Sequence, residues 1–474
     1  MHFSKTGYSE QNNLSYASGD ADNSFNLSAN RLDRTGVVLN DKYNRTAIRV
    51  GGTKSSGIFK ADFNAGFTQQ NTSTYGHGYT SNSLDGGGSL YSTLLNTPSW
   101  VPLTSYKNIN APFSDVNSFY NSYAINPYWI VDNSRYNTVS NTFNGNINGT
   151  LTPTDWFNAS YRLSNNSGTA NQQYTRAQVN YSAYALSDPT HESGTIASSY
   201  GNATVPGQVQ NITQTGDGSI SSMNADGSAL AGPQGYARTQ QDIIMNFHRT
   251  FFDDFKTNLL LGNTIWQENY KYIQNNSTSL LVDGFYNIGS IIGTPATSTQ
   301  EGKIRQTDYY ADANIGYKDY AFLEGSLRND HDSRLSAANR SFFYPSVKGS
   351  FIFTQAIDQL KNNDILNFGK LRASYSKVGS VTSSPYSINN TYTPSASFPY
   401  GSTAALGLST VLNDANLKPE LSKELEFGAD LGFFNNRINL SATYYNSHNY
   451  HSLPLHLYLV HRHRVRFVSL NLGI

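Results

Sequence analysis

The sequence predicts an all-β fold, an antiparallel transmembrane β-barrel of the outer-membrane kind, and three observations predict it. Segments of about ten residues alternate apolar and polar side chains, the length and pattern of a strand with lipid on one face and water on the other. The connections alternate between tight turns and long polar loops, as short periplasmic turns and long outer loops do. Aromatic residues gather beside the tight turns, where an interfacial girdle would lie: Trp156 and Phe157, Phe252 and Phe255, Tyr317 and Tyr320, Phe433 and Phe434.

The composition agrees. The 474 residues include 33 Tyr, 25 Phe and 38 Gly, no Cys, and only 14% charged residues, a balance that favours strands and loops over helices. A formal net charge of zero gives no polyelectrolyte signal for nucleic acid. Without Cys there is no disulfide framework and no Cys-based zinc site. No apolar run reaches the roughly eighteen residues of a transmembrane helix, which does not count against strands that hide their apolar face in alternation. The opening residues M-H-F-S-K-T-G-Y-S-E have no apolar core and make no signal peptide, which an outer-membrane protein needs.

Taken in order, Asn12 to Ser18 and Asn23 to Leu32 read as strands around Gly19-Asp20-Ala21-Asp22. Arg45–Gly51 and a clean return strand follow, with Phe59, Ala61, Phe63, Ala65 and Phe67 on one face and Lys60, Asp62, Asn64, Gly66 and Thr68 on the other. Residues 71–138 are dense in Tyr, Ser, Asn, Gly and Pro and read as an outer loop. Phe143 to Leu151 and Phe157 to Leu163 flank a Thr152-Pro153-Thr154-Asp155 turn, and 167–238 reads as a second long polar segment. Strands are then expected over Ile244 to Phe252, Thr257 to Tyr270, Tyr309 to Tyr317, Ala321 to Leu327, Val347 to Phe353 and Leu371 to Tyr375, with room for a helical turn in 355–368. The last hairpin is the clearest. Leu425, Phe427, Ala429, Leu431 and Phe433 alternate with Glu426, Gly428, Asp430 and Gly432, and the pattern resumes after Asn435-Asn436 with Ile438, Leu440, Ala442 and Tyr444. About fourteen strands result. A secreted β-sandwich also alternates, but rarely carries several polar loops of this size.

Three blocks resemble the SusC/RagA family of TonB-dependent outer-membrane transporters. Leu417–Tyr445, with L-K-P-E followed by G-A-D-L-G-F-F-N-N-R, is similar to that family's late-barrel hairpin. Ser326–Gly349 resembles its block leading into Phe-Pro-Ser, with Tyr344 before Pro345. Lys370–Gly379, K-L-R-A-S-Y-S-K-V-G, looks like its K-L-R-x-S-Y-G segment, and Arg31–Arg49 fits more loosely. The resemblance implies a barrel in the cell outer membrane, in contact with lipid, that imports oligosaccharides or peptides. It also implies a SusD-like surface lipoprotein over the mouth and a TonB complex supplying energy. Nothing resembles the family's plug, so the chain reads as a partial barrel without a plug domain, a fragment not expected to transport alone.

Residues 1–447 read as the barrel and 448–474 as a departure from it, crowding His and Arg in N-Y-H-S-L-P-L-H-L-Y-L-V-H-R-H-R-V-R. Codons for Val460 to Arg466, read one base later, can spell S-T-G-T-G-Y-G, which points to a frameshifted tail. The rival reading is a genuine basic tail or a His metal site, but His461 and His463 have no helical ligand spacing and no carboxylate follows His448.

No catalytic, cofactor-binding or metal-ligating set is expected. Asp85-Gly86-Gly87-Gly88-Ser89 lacks the context and the Lys of a phosphate loop. Arg328, Asp330 and Asp332 read as solvated residues at a strand end, able otherwise to hold calcium or pair as ions. No carboxylate pair stands out, so the chain is read as no enzyme. The candidate substrate contacts are loop aromatics, Trp100, Tyr120, Tyr128 and Trp129, which either stack on sugar or peptide groups or pack the loop against the barrel wall. The competing function is a secreted or surface carbohydrate- or peptide-binding protein without transport.

Overall fold

Strand follows strand in simple antiparallel succession. The computed structural model describes residues 3–75, 90–109, 119, 126–180, 204–216, 237–277, 279–361, 363–395, 405–408, 412–435, 437–450 and 463–472. In chain order the strands are β1 (Tyr8–Gly19), β2 (Asn23–Thr35), β3 (Lys42–Ser56), β4 (Phe59–Tyr75), β5 (Ser134–Thr154), β6 (Phe157–Arg176), β7 (Val179–Asn180), β8 (Thr204–Val205), β9 (Gln208–Gly216) and β10 (Ala237–Phe251). They continue with β11 (Phe255–Ser277), β12 (Ala296–Tyr317), β13 (Ala321–Asp332), β14 (Ser341–Ile352), β15 (Leu366–Ser380), β16 (Tyr392–Ser395), β17 (Ala405–Leu408), β18 (Glu420–Phe433), β19 (Ile438–Tyr450) and β20 (His463–Leu472). Two short helices, α1 (Leu90–Asn96) and α2 (Pro127–Asn133), lie in the connection between β4 and β5.

One sheet holds sixteen of these strands, in the order β1-β2-β3-β4-β5-β6-β10-β11-β12-β13-β14-β15-β18-β19-β20, with β9 paired to β6 and β11. Strands β9 and β10 share one place in the wall. Arg238 of β10 pairs with Asn166 of β6, and a little further along β6 Thr169 pairs with Thr215 of β9. On the other side the switch falls between Asn269 and Lys271 of β11. All fourteen expected strands are present. The fifteenth place belongs to β20, inside the segment read as a departure, and it pairs with β19 from Ile438↔Leu472 to Asn446↔His463 with a register shift near Ala442. Strand β19 itself crosses the 447/448 boundary and runs to Tyr450.

Two sequence readings are corrected. Segment 71–138 is not loop throughout, since β4 runs to Tyr75 and β5 starts at Ser134. Segment 167–238 contains the outer half of β6 and all of β9. Both stretches are polar on either face because they extend past the depth a bilayer covers: β11 has 23 residues and β12 has 22, about twice what a tilted span needs. The helical turn expected in the β14–β15 connection is there, as Phe353–Ala356 followed by a 3-10 turn at Asp358–Leu360.

The faces follow the alternation. Phe59, Phe63 and Phe67 pair across to Leu151, Ile147 and Phe143, and these in turn to Ala159, Leu163 and Ser167. Their side chains are 40–58% exposed at Phe59, Phe63, Phe67, Leu151, Ile147 and Phe143, so no second sheet covers them among the described residues. A sandwich would bury this face; a barrel gives it to lipid. Lys60, Asp62, Asn64, Asn144, Asn146 and Asn148 share the opposite, inward face, where Asn148 donates to Asp62 at 3.0 Å.

At the short-turn end the outward aromatics touch in a ladder. Phe157 lies 4.8 Å from Phe247, Phe255 4.7 Å from Tyr317, Tyr317 5.5 Å from Tyr320, and Tyr320 6.1 Å from Phe351, centroid to centroid. Adjacent turns are also cross-linked by charge: Lys256 meets Asp319 at 2.7 Å and Lys318 meets Asp254 at 3.4 Å.

Candidate functional site

Two regions present chemistry, the packed loops at the long-loop end and the inward face of the wall. The loops build a small apolar core of their own from Phe3, Val38, Tyr75, Leu90, Leu94, Leu103, Phe119, Ala177, Val179 and most of α2. Helix α2 starts where its sequence directs: Asn126 caps it by accepting from the Tyr128 N–H at 2.9 Å, and Pro127 fills the first turn, where its missing N–H costs nothing. Asn126 also donates to the Tyr106 carbonyl at 2.7 Å, tying the helix to the 3-10 turn Leu103–Lys107.

Beside this connection an ion pair ties the β2–β3 loop to the start of β5. Arg135, at the start of β5, donates to Asp41 at 3.1 Å, to the Asn40 carbonyl at 2.9 Å and to Ser73 at 3.0 Å. Asp41 also accepts the Tyr75 N–H at 2.9 Å. Both charged side chains are largely buried.

This arrangement settles where the loop aromatics stand. Tyr128 and Trp129 are buried within the loop core, Tyr128 against Phe3 at 5.0 Å, and burial raises the Tyr128 phenol above its ordinary range. Their rings are engaged in packing and are not presented at the surface. Trp100 is 79% exposed, beside the buried Val101, and is a free platform. Tyr120 lies outside the described residues. Of the three described, Tyr128 and Trp129 pack into the loop core and Trp100 stands apart from them, exposed.

The inward face carries a charge network. Arg328 of β13 donates to Asp308 of β12 at 2.7 Å and to Asp330 at 2.6 Å, and Gln306 donates to Asp308 at 2.7 Å. Asp332 accepts from Arg334 at 2.6 Å. Asp308, Asp330 and Asp332 are buried, so the reading of Asp330 and Asp332 as solvated residues is corrected, while the Arg328 side chain stays 41% exposed. Arg328, Asp330 and Asp332 all lie on β13, and pairing offsets the cost of burying the carboxylates. Asp308 was not legible, because its partnership depends on the β12–β13 register, Asp308↔Asp330, and not on spacing in the chain.

Nearer the short turns, a cleft of about 470 Å³ opens on the same face between Phe322, Glu324, Lys348, Lys370, Arg372 and Glu426. Lys348 pairs with Glu324 at 2.6 Å, and Arg372 pairs with Glu426. On β10 and β11, Arg238 lies 4.5 Å over the Trp266 ring and bonds Glu268 at 2.9 Å. Such a surface can bind polar, hydrogen-bonding matter.

Outward apolar strands, an inward polar network and loops massed at one end define an outer-membrane β-barrel wall. The family described as TonB dependent receptor-like, beta-barrel matches residues 88–451, more than half of the sequence. The chain belongs to that family. Among curated relatives, TonB-dependent receptor P3 of Formosa agariphila is 30% identical over 160 residues, which is 33% of this chain and 15% of that protein. TonB-dependent receptor P39 of the same organism is 24% identical over 209 residues, 44% and 20% of the two chains. The solved RagAB peptide transporter superposes with a TM-score of 0.69 at 16% identity, over 93% of this chain and 44% of that one. The RagAB peptide importer in the open-open state gives 0.66, also at 16% identity, over 94% and 44%. At that identity the likeness speaks for the fold. The matches span no more than a fifth of the curated relatives and under half of the solved chains.

Proposed function

We propose that this chain forms the barrel wall of an outer-membrane receptor of the SusC/RagA type that imports oligomeric nutrients, peptides or glycans. The observation that carries this reading is the inward face: a polar, ion-paired surface running from Asp62 and Asn148 to Arg372 and Glu426 behind an apolar outward face. A wall that is greasy outside and hydrogen-bonding inside suits passage of a polar oligomer through lipid. The likeness of fold to a peptide transporter supports the same reading. Import is energised through a TonB complex, and a SusD-like lipoprotein partners the outer loops, where Trp100 is an exposed aromatic available to a substrate.

Deleting the gene and growing the strain on single polysaccharides and on peptide mixtures tests this. Loss of growth on one polymer class, reproduced by deleting TonB, supports the proposal. Unchanged growth on every oligomer, with the protein recovered from the medium instead of the outer membrane, favours the secreted binder.

A further inference from the structure

Arg328, Lys348 and Arg372 each meet a carboxylate on the inward face, whereas Arg45 and Arg49 of β3 form no ion pair among the described residues. Their register partners on β4, Gln70 and Gly66, share the inward face with Asn64 and Thr68. A hollow of about 460 Å³ opens here on the inner wall of β1 to β4, bordered by both arginines and by Asn13, Asn30, Thr68 and Gln70. Among the described residues no carboxylate lines it. Arg45 donates to Asn30 at 2.9 Å, and Asn30 donates in turn to Asn13. The Arg45 Nε is left without a hydrogen-bond partner among the described residues. The Arg49 side chain lies along Gly66 and is exposed to the interior. One residue before it, the pair Ile48–Phe67 belongs to the outward apolar face, so Arg49 stands at bilayer depth without a described counter-ion. Ionisable groups kept at that depth mark the path of a polar cargo.

We propose that Arg45 and Arg49 form an anion-binding track on the inner wall, and that the oligomer it takes is an acidic oligosaccharide with carboxylates on its sugar rings. The two arginines stand four residues apart on one strand, about 13 Å, so they meet charges on different units of one chain. Guanidinium groups hold carboxylates through charge-assisted bonds in a fixed fork, and the orphaned Arg45 Nε gains a partner when that group turns to a carboxylate in the hollow. The rest of the lining selects sugar over peptide. Asn13, Asn30 and Gln70 offer amides and Thr68 a hydroxyl to the ring hydroxyls of a sugar, and the lining has no aromatic or bulky apolar pocket for a peptide side chain. The inference rests on the import reading above and narrows its substrate class.

The test is equilibrium dialysis of the detergent-folded 474-residue chain against tetragalacturonate and against its methyl ester, which keeps the ring hydroxyls and removes the charge. The acid is expected to bind about tenfold or more tightly than the ester, and the difference is expected to shrink in high salt. Arg45→Gln with Arg49→Gln is expected to erase the preference while the wall keeps its heat-modifiability. Arg45→Lys with Arg49→Lys, which keeps the charge, is expected to retain the salt-dependent part of it. Equal binding of acid and ester overturns the track and leaves the import reading standing. A preference that survives the double glutamine variant does the same and places the anion elsewhere on the wall. Tighter binding of tetraglutamate than of tetragalacturonate overturns the sugar and assigns the arginines to acidic peptides. Binding of neither sugar overturns the track, and if the protein is also recovered from the medium instead of the outer membrane, the import reading falls with it.

Discussion

Tyr310 of β12 lies across Gly262, its register partner on β11, so closely that the ring occupies the space a Cβ on residue 262 would need. Further out along the same two strands, Tyr270 of β11 covers Gly302 of β12 in the same way. A large inward ring thus closes over a bare stretch of neighbouring backbone, and two long strands are locked in register by shape.

Gly262→Val is therefore expected to cost about 1–3 kcal/mol, because an added side chain displaces the Tyr310 ring or the strand. Gly325, on the adjacent β13, meets nothing within 4 Å, and Gly325→Ala is expected to stay within about 0.5 kcal/mol. Urea unfolding of the detergent-folded barrel, followed by heat-modifiability on a gel, compares the two. Equal losses at both glycines would show that the ring does not set the register.

Outward and inward substitutions on β4 should differ in sign of tolerance. Phe63→Arg places a charge where the apolar face meets lipid and is expected to cost about 2–4 kcal/mol near the midplane. Asn64→Arg, one residue on and facing inward beside Asn146, is expected to be nearly neutral. Equilibrium unfolding from vesicles reads both, and an equal cost at the two positions would mean that the faces are misassigned.

Much of this wall was legible in the sequence, for a physical reason that also marks where legibility stops. Phe59 to Phe67 and Leu425 to Phe433 alternate because a bilayer forces apolar and polar onto opposite faces. Strand β9, Q-V-Q-N-I-T-Q-T-G, lies above that depth, meets no such demand, and reads as loop. The loop aromatics show the same limit. Composition placed Tyr128 and Trp129 in a long connection, but whether a ring faces solvent or a local core depends on Phe3, Val38 and Val179, which are distant in the chain. The reach of Arg328 to the buried Asp308 on the neighbouring strand is likewise a product of register.

The Asp41–Arg135 pair joins the β2–β3 loop to the start of β5, and both side chains are mostly removed from water. Arg135→Met leaves the Asp41 carboxylate with the Tyr75 N–H alone among the contacts described above, and the expected loss for an interior pair is about 3–5 kcal/mol. The loss should be local. Chymotrypsin is expected to cut at Tyr128 and Trp129 in the variant while the wall keeps its heat-modifiability, and Asp41→Asn with Arg135→Met together should recover part of the loss. Uncut loops in the single variant would show that the apolar core holds the connection without the pair.

Asp20 gives the β1–β2 turn a pH dependence whose sign can be worked out. Its carboxylate accepts from the N–H groups of Asp22 at 2.8 Å and Asn23 at 2.7 Å and from the Asn23 side-chain amide, and these bonds hold it below the usual carboxylate range. A group whose folded pKa is depressed contributes its stability above the unfolded value and loses it as pH falls through the folded one. The turn is thus expected to be indifferent to pH from neutrality down to the ordinary carboxylate range, and to loosen only below it. Amide proton exchange at Asp22 and Asn23 in the detergent-folded chain follows this, with protection falling on acidification. In Asp20→Asn the side-chain oxygen still accepts but does not titrate, so the acid limb should flatten while protection at neutral pH drops modestly. An acid limb that survives Asp20→Asn would show that the Asp20 carboxylate does not set it, and the turn would then owe its shape to the Asp20 N–H to Asn23 carbonyl bond of 2.7 Å.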